Sequence, residues 1–132
     1  MSPVSALVVD TSSWIAYFAG DGSSLVDEAL EEGRLYLPAV VAAELLSGSM
    51  NEAERVELEA LLSDLPALGA EPEHWFRVGR LRSSLRTGGL CVSTPDAHVA
   101  QCAIDVGGSL LSEGGIFARI AALAPLRLAA RA

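Results

Sequence analysis

Three acidic residues lie in sequence surroundings that do not ordinarily hold acids. Asp10 ends the apolar run Ala6-Leu-Val-Val-Asp10, Glu44 interrupts Val40-Val-Ala-Ala-Glu-Leu-Leu46, and Asp96 follows directly on Thr94-Pro95. Carboxylates in apolar neighbourhoods are rarely buried unless they are paired or hold a cation. Two or three of them brought together repel, and each strengthens the others' hold on a proton. A hard divalent cation removes that conflict, and Mg²⁺ or Mn²⁺ prefers such oxygen ligands. The chemistry implied is metal-assisted: an ion that activates water and neutralises charge developing on a substrate. Taken singly, the acids have blander readings. Asp10 reads equally well as the cap of a following helix, Asp96 as a partner of a helix macrodipole, and Glu44 as a side chain on a solvated face.

Other candidates carry less. His98 and Cys102, four apart on one predicted helix, offer half a zinc site, but no second pair follows and His74 is expected to stand alone. The same scarcity of histidine weakens a histidine-based cleavage of RNA. No Gly-x-Ser-x-Gly elbow supports Ser-His-Asp hydrolysis, and Gly20-Asp-Gly22 reads as a loop rather than a dinucleotide fingerprint. Trp14, Tyr17 and Phe18, at helical spacing, read as core or dimer contact rather than base-stacking platforms. Arg77, Arg80, Arg82 and Arg86 share one predicted helix, with the first pair roughly opposite the second. One pair reads as solvated or ion-paired, the other as available to phosphate.

Composition narrows the field further. A chain of 132 residues has the size of one domain, 1–132, and buries roughly two thirds of its unfolded surface. Net charge is −8, from 17 acids against 9 arginines, with no lysine. Without lysine there is neither a P-loop phosphate site nor the lysine of a receiver domain. An acidic chain is a poor simple binder of nucleic acid, since phosphate contacts usually come from a basic face. A nuclease that gathers carboxylates around cations is the exception, because the ions change the local sign of the field. The same charge suits a basic protein partner. Cys91 and Cys102 make no disulfide framework and read as reduced thiols of a cytoplasmic protein. No basic leader precedes the first apolar stretch, which Asp10 interrupts, and none approaches the roughly 20 apolar residues of a membrane span.

The elements that must position the acids follow from periodicity and punctuation. Short strands are expected at 6–10, 35–37 (closed by Pro38), 65–69, 109–111 and 126–128. Helices are expected at 14–19, with Thr11-Ser12-Ser13 as N-cap hydroxyls, and at 23–32, 39–46, 51–62, 73–85, 94–106 and 116–123. The sixth of these opens with Thr94 as cap and Pro95 at its first position. Strands alternating with helices make a doubly wound α/β domain on a parallel sheet. In such sheets a ligand lies beyond the carboxyl ends of the strands, where Asp10 falls.

Together these runs resemble the PIN-domain ribonucleases, in particular the VapC-type toxins of VapBC toxin–antitoxin pairs. Val8-Val-Asp-Thr-Ser-Ser-Trp-Ile15 resembles the opening motif, and Leu37-Pro-Ala-Val-Val-Ala-Ala-Glu-Leu-Leu46 the second, whose glutamate falls on Glu44. Ser93-Thr-Pro-Asp-Ala-His-Val-Ala-Gln-Cys-Ala103 resembles the third, with its aspartate at Asp96, and the segment Gly108 to Ile120 resembles the fourth. The match runs in order over nearly the whole chain. It implies a three-layer α/β domain with a five-stranded parallel sheet flanked by helices, Mg²⁺ or Mn²⁺, and endonucleolytic hydrolysis of RNA. For a toxin it also implies a homodimer and a cognate VapB-type antitoxin that covers the groove. Asp10, Glu44 and Asp96 would hold the metal, while Ser12 and Ser112 orient carboxylates around it.

The fourth motif departs from the family pattern. The family's aspartate falls eighteen residues beyond the third acid, and here that position is Gly114. Glu113 is the nearest carboxylate, and Ser112 keeps the hydroxyl position. Three accounts follow: Glu113 substitutes, three acids suffice with a weak second metal, or the site is crippled. The third would make the chain a catalytically weakened PIN domain that binds RNA or protein. Strand alternation tends to turn Glu113 away and favours three acids.

Overall fold

A computed structural model describes residues 5–21 and 24–130. The chain runs β1 (Leu7–Val9), α1 (Thr11–Phe18), α2 (Ser24–Glu31), β2 (Leu35–Pro38), α3 (Ala39–Leu46), α4 (Glu52–Ser63), β3 (Ala67–Leu68), α5 (Pro72–Thr87), α6 (Thr94–Asp105), β4 (Ser109–Leu111), α7 (Ile116–Ala121) and β5 (Arg127–Leu128). Gly22 of the expected loop and Ser23, the expected start of the second helix, lie outside the described residues.

The five strands form one sheet in the order β3-β2-β1-β4-β5, every pair parallel. β1 is the middle strand, and Leu7, Val8 and Val9 are all buried, as expected of a strand covered on both faces. Its register sets Leu7 opposite Leu35 on one side and Val9 opposite Leu111 on the other. Helix α6 packs against β1, β2 and β4, and α5 packs outside it on α6. Gly108 admits β4 to this sheet. A Cβ there would stand 2.2 Å from the Ala6 carbonyl oxygen, so only glycine fits.

The strand order turns at β1. Strands two and three lie on one side, four and five on the other, which opens a crevice between the carboxyl ends of β1 and β4. Helix α6 leads directly into the start of β4 through Gly107-Gly108, so its own N-terminus lies at the sheet's carboxyl edge. That places Asp10, Ser112 and the first turn of α6 at one edge of the molecule.

One cap follows one of the two readings of the sequence and the other differs from expectation. Asp10 itself caps α1, its Oδ1 accepting from the Thr11 N–H at 2.8 Å, so the helix starts at Thr11 and not after a hydroxyl cap. Ser93, not Thr94, caps α6, its hydroxyl accepting from the Asp96 N–H at 3.2 Å. In both cases the acceptor one residue upstream reaches the free N–H groups of the first turn.

Candidate active site

Asp10 is the most constrained of the acids. Its N–H donates to the Leu111 carbonyl at 3.0 Å, which continues the β1–β4 ladder to the rim of the crevice. While Oδ1 caps α1, Oδ2 accepts from the Ser12 hydroxyl at 3.2 Å and the Ser112 hydroxyl at 2.9 Å. Ser112 in turn accepts from the Gly114 N–H at 2.9 Å. The fourth-motif serine therefore braces the first-motif aspartate across the switch point.

Glu44 is exposed on α3 and joins Asp10 through one residue. The Thr11 hydroxyl donates to Glu44 Oε1 at 2.6 Å while the Thr11 N–H holds Asp10. Thr11, expected from the sequence only as an N-cap hydroxyl, instead spends its hydroxyl on Glu44. Asp96 projects from the first turn of α6 at the same edge, and among the described residues no hydrogen bond joins its carboxylate to the Asp10–Glu44 network. Glu113 is exposed in the turn after β4. The donors here are all hard oxygens, of the kind Mg²⁺ or Mn²⁺ prefers, and two of the carboxylates are held by hydroxyls, but the three acids share an edge without being drawn into one cluster among the described residues.

The arginines divide differently from the expected opposite pairs. Arg77 chelates Asp105, with Nε and one terminal nitrogen at 3.0 and 2.9 Å. Arg82 donates through Nε to the Val92 carbonyl at 2.9 Å, just before the α6 cap. Each pair thus spends one arginine on internal structure and leaves Arg80 or Arg86 exposed.

His74 does not stand alone. It meets His98 across the α5–α6 contact, Nε2 to Nδ1 at 2.7 Å, with Cys102 Sγ 3.8–3.9 Å from these nitrogens. This is the one group of three metal-capable side chains drawn together among the described residues. A 2.7 Å separation is a hydrogen bond, whereas two nitrogens on one tetrahedral zinc stand about 3.4 Å apart. Burial pushes the Cys102 thiol up to about 12, with the Asp105 charge adding to it, and pushes His98 down to about 4, with His74 adding to that. Burial also works to raise Asp105, but hydrogen bonds from Arg77, Gln101 and His74 outweigh it and hold the carboxyl below its ordinary range. The cluster is a buried polar relay. Its sequence signal was the 98, 102, 105 spacing along one face of α6, while the facing of His74 and Arg77 from α5 comes from the helix packing.

A parallel sheet ordered 3-2-1-4-5 with a hydroxyl-braced acidic crevice at its switch point defines an α/β protein of the carboxylate-site class. The PIN-domain family pattern matches residues 7–123, and the chain belongs to that family. Ribonuclease VapC11 of Mycobacterium tuberculosis is 30% identical over 130 residues, covering 93% of this chain and 97% of the relative. Among solved structures, DNA-bound VapBC from Salmonella typhimurium aligns with TM-score 0.74 at 18% identity, over 96% of this chain and 98% of that one. VapBC2 from Rickettsia felis, bound to a DNA fragment from its promoter, aligns with TM-score 0.72 at 21% identity over 94% and 97%. The expected five-stranded parallel sheet flanked by helices is the fold observed. No helix among the described residues is long and apolar enough to cross a membrane.

Proposed function

We propose that this chain is a divalent-metal-dependent endoribonuclease, the toxin half of a VapBC-type pair acting in the cytoplasm. The observation that carries the reading is Asp10, held at both carboxylate oxygens by Thr11, Ser12 and Ser112 and coupled through Thr11 to Glu44 at the switch-point crevice. Asp10, Glu44 and Asp96 would hold Mg²⁺ or Mn²⁺, which supplies activation of water and neutralisation of charge on the scissile phosphate.

The protein's own part is positioning. Ser12 and Ser112 keep Asp10 from rotating, so its outward lone pairs are preorganised. Thr11 does the same for Glu44 from the first residue of α1. Both histidines of the sequence are buried and hydrogen-bonded in the α5–α6 relay, so neither ring is open to a substrate. Cleavage of total RNA should require Mg²⁺ or Mn²⁺, stop with EDTA, and be lost in Asp96→Asn. RNA bound but uncut by the intact chain, with no metal response, would instead make it a binding module, the reading that Gly114 favours.

A partner is supported by a separate surface. An apolar groove of about 650 Å³ runs between α1, α3 and α4, lined by Ile15, Phe18, Leu45, Met50, Leu58 and Leu61, with Glu54 and Glu57 among its acidic lining. Ile15 and Phe18 are 58% and 48% exposed. A basic, partly apolar antitoxin segment fits that chemistry. The other exposed aromatics, Trp75 and Phe76 on α5, suit a homodimer contact.

A further inference from the structure

We propose that His98 is a positioning residue that caps α3 from α6 and so fixes the separation of Glu44 from Asp96, an inference that rests on the metal-site reading above. Helix α3 begins after Pro38, which has no side-chain hydrogen bond to offer the free N–H groups of the first turn. The Val40 N–H finds its acceptor on another helix, His98 Nε2 at 3.4 Å. His98 lies two residues beyond Asp96, and Val40 lies one helical turn before Glu44, whose N–H bonds the Val40 carbonyl in a regular helix. One imidazole thus ties the peptide that carries Glu44 to the turn that carries Asp96.

The ring is held so that it has one orientation. Trp75 stacks on one side at 4.5 Å and 8°. Gly69 lies close by, with φ of +106°, where an added Cβ would stand 2.6 Å from His98 Cε1. The Trp75 indole N–H donates to the Gly69 carbonyl at 2.8 Å and locks the two walls together. With Val40 donating to Nε2, the ring proton belongs on Nδ1 and donates to His74 Nε2. His74 Nδ1–H then donates to Asp105 at 2.9 Å, and Arg77 and Gln101 anchor that carboxylate. Each member fixes the tautomer of the next, ending in a lone pair aimed at α3.

The test compares two amides by titrating Mn²⁺ into the intact protein, read by calorimetry and Mn²⁺ paramagnetic resonance. Gln places its terminal group near the Nε2 position and keeps the link to Val40. Asn reaches only the Nδ1 position and keeps the link to His74 alone. His98→Asn should bind Mn²⁺ about tenfold more weakly, within the range typical of lost ligand-orienting contacts, while His98→Gln stays within about threefold of the wild type. Equal Mn²⁺ affinity in wild type and both variants, with folding confirmed by circular dichroism, overturns the proposal. So does an equal loss in both, which would mark the ring as packing. Asp10→Asn is the control: if the wild type binds Mn²⁺ no better than this variant, the metal-site reading fails first and takes the inference with it.

Discussion

At the scale of single residues the site depends on which oxygens are already occupied. Asp10 accepts a cap bond and two hydroxyl bonds, and asparagine keeps the Oδ1 cap. Asp10→Asn should therefore remain folded without metal yet lose the Mn²⁺-induced rise in melting temperature, worth about 2.7 kcal/mol at a hundredfold excess over Kd. An undiminished rise in that variant removes Asp10 from the site. Gly114 allows the complementary gain. A Cβ there would meet Ser112 Oγ at 3.5 Å and Phe117 at 3.8 Å, ordinary contacts, so Gly114→Asp should fold. We expect that variant to cleave RNA at lower Mg²⁺ than the wild type, and Glu113→Ala to lose little. A hundredfold loss in Glu113→Ala, about 2.7 kcal/mol of barrier, would make Glu113 the fourth acid. Asp10 and Glu44 were legible as residues because each broke an apolar pattern, and Asp96 because it falls in a motif that resembles the family's third. The bond from Thr11 to Glu44 was not, because a hydroxyl beside a cap looks the same whether it bonds its own helix or a glutamate thirty-three positions away.

At the scale of elements, strand and helix order followed from Pro, Gly and apolar runs, because those signals are local. The caps shifted by a residue or more for an equally local reason, since several adjacent side chains compete for the same free N–H groups. What no periodicity could supply was the meeting of α5 and α6, where His74 and His98, twenty-four residues apart, share one hydrogen bond. That contact has a pH signature. The unfolded His98 ring takes up a proton below about 6.5, whereas the buried ring stays neutral until about 4. The unfolded chain thus binds more protons in that window, so stability falls as pH drops from 6.5 to 4, by at most about 3 kcal/mol. Asp105, held below its ordinary value, adds a further loss at still lower pH. Cys102 acts at the other end: the unfolded thiol ionises above about 9 and the buried one only near 12, so stability falls again as pH rises past 9. Urea midpoints from pH 4 to 10 should show both slopes. The acid slope should flatten in His98→Gln and the alkaline slope in Cys102→Ala, and unchanged slopes would remove these groups as the cause.

At the scale of the whole molecule, the acidic crevice and the apolar groove are separate surfaces. None of Asp10, Glu44 and Asp96 lines the groove, although Leu45 follows Glu44 on α3. An antitoxin segment seated on Ile15 and Phe18 would lie alongside the site. Two kinds of variant should therefore separate. Phe18→Asp places a charge where an apolar side chain is buried on binding, a loss of about 1.5–3 kcal/mol, and the antitoxin's affinity should fall tenfold or more. Mn²⁺ binding and RNA cleavage by the free protein should be unaffected, since Phe18 lies at the far end of α1 from Asp10. The groove's Glu54 and Glu57 should make binding of a basic segment weaken with salt, and Glu57→Gln should reduce that salt dependence. Fluorescence anisotropy with a labelled antitoxin fragment at two salt concentrations measures the affinity and its salt dependence, and Mn²⁺ calorimetry with an RNA cleavage assay measures the free protein. If Phe18→Asp binds the fragment as tightly as the wild type, the partner sits elsewhere. The exposed Trp75–Phe76 face of α5 is then the next surface to alter.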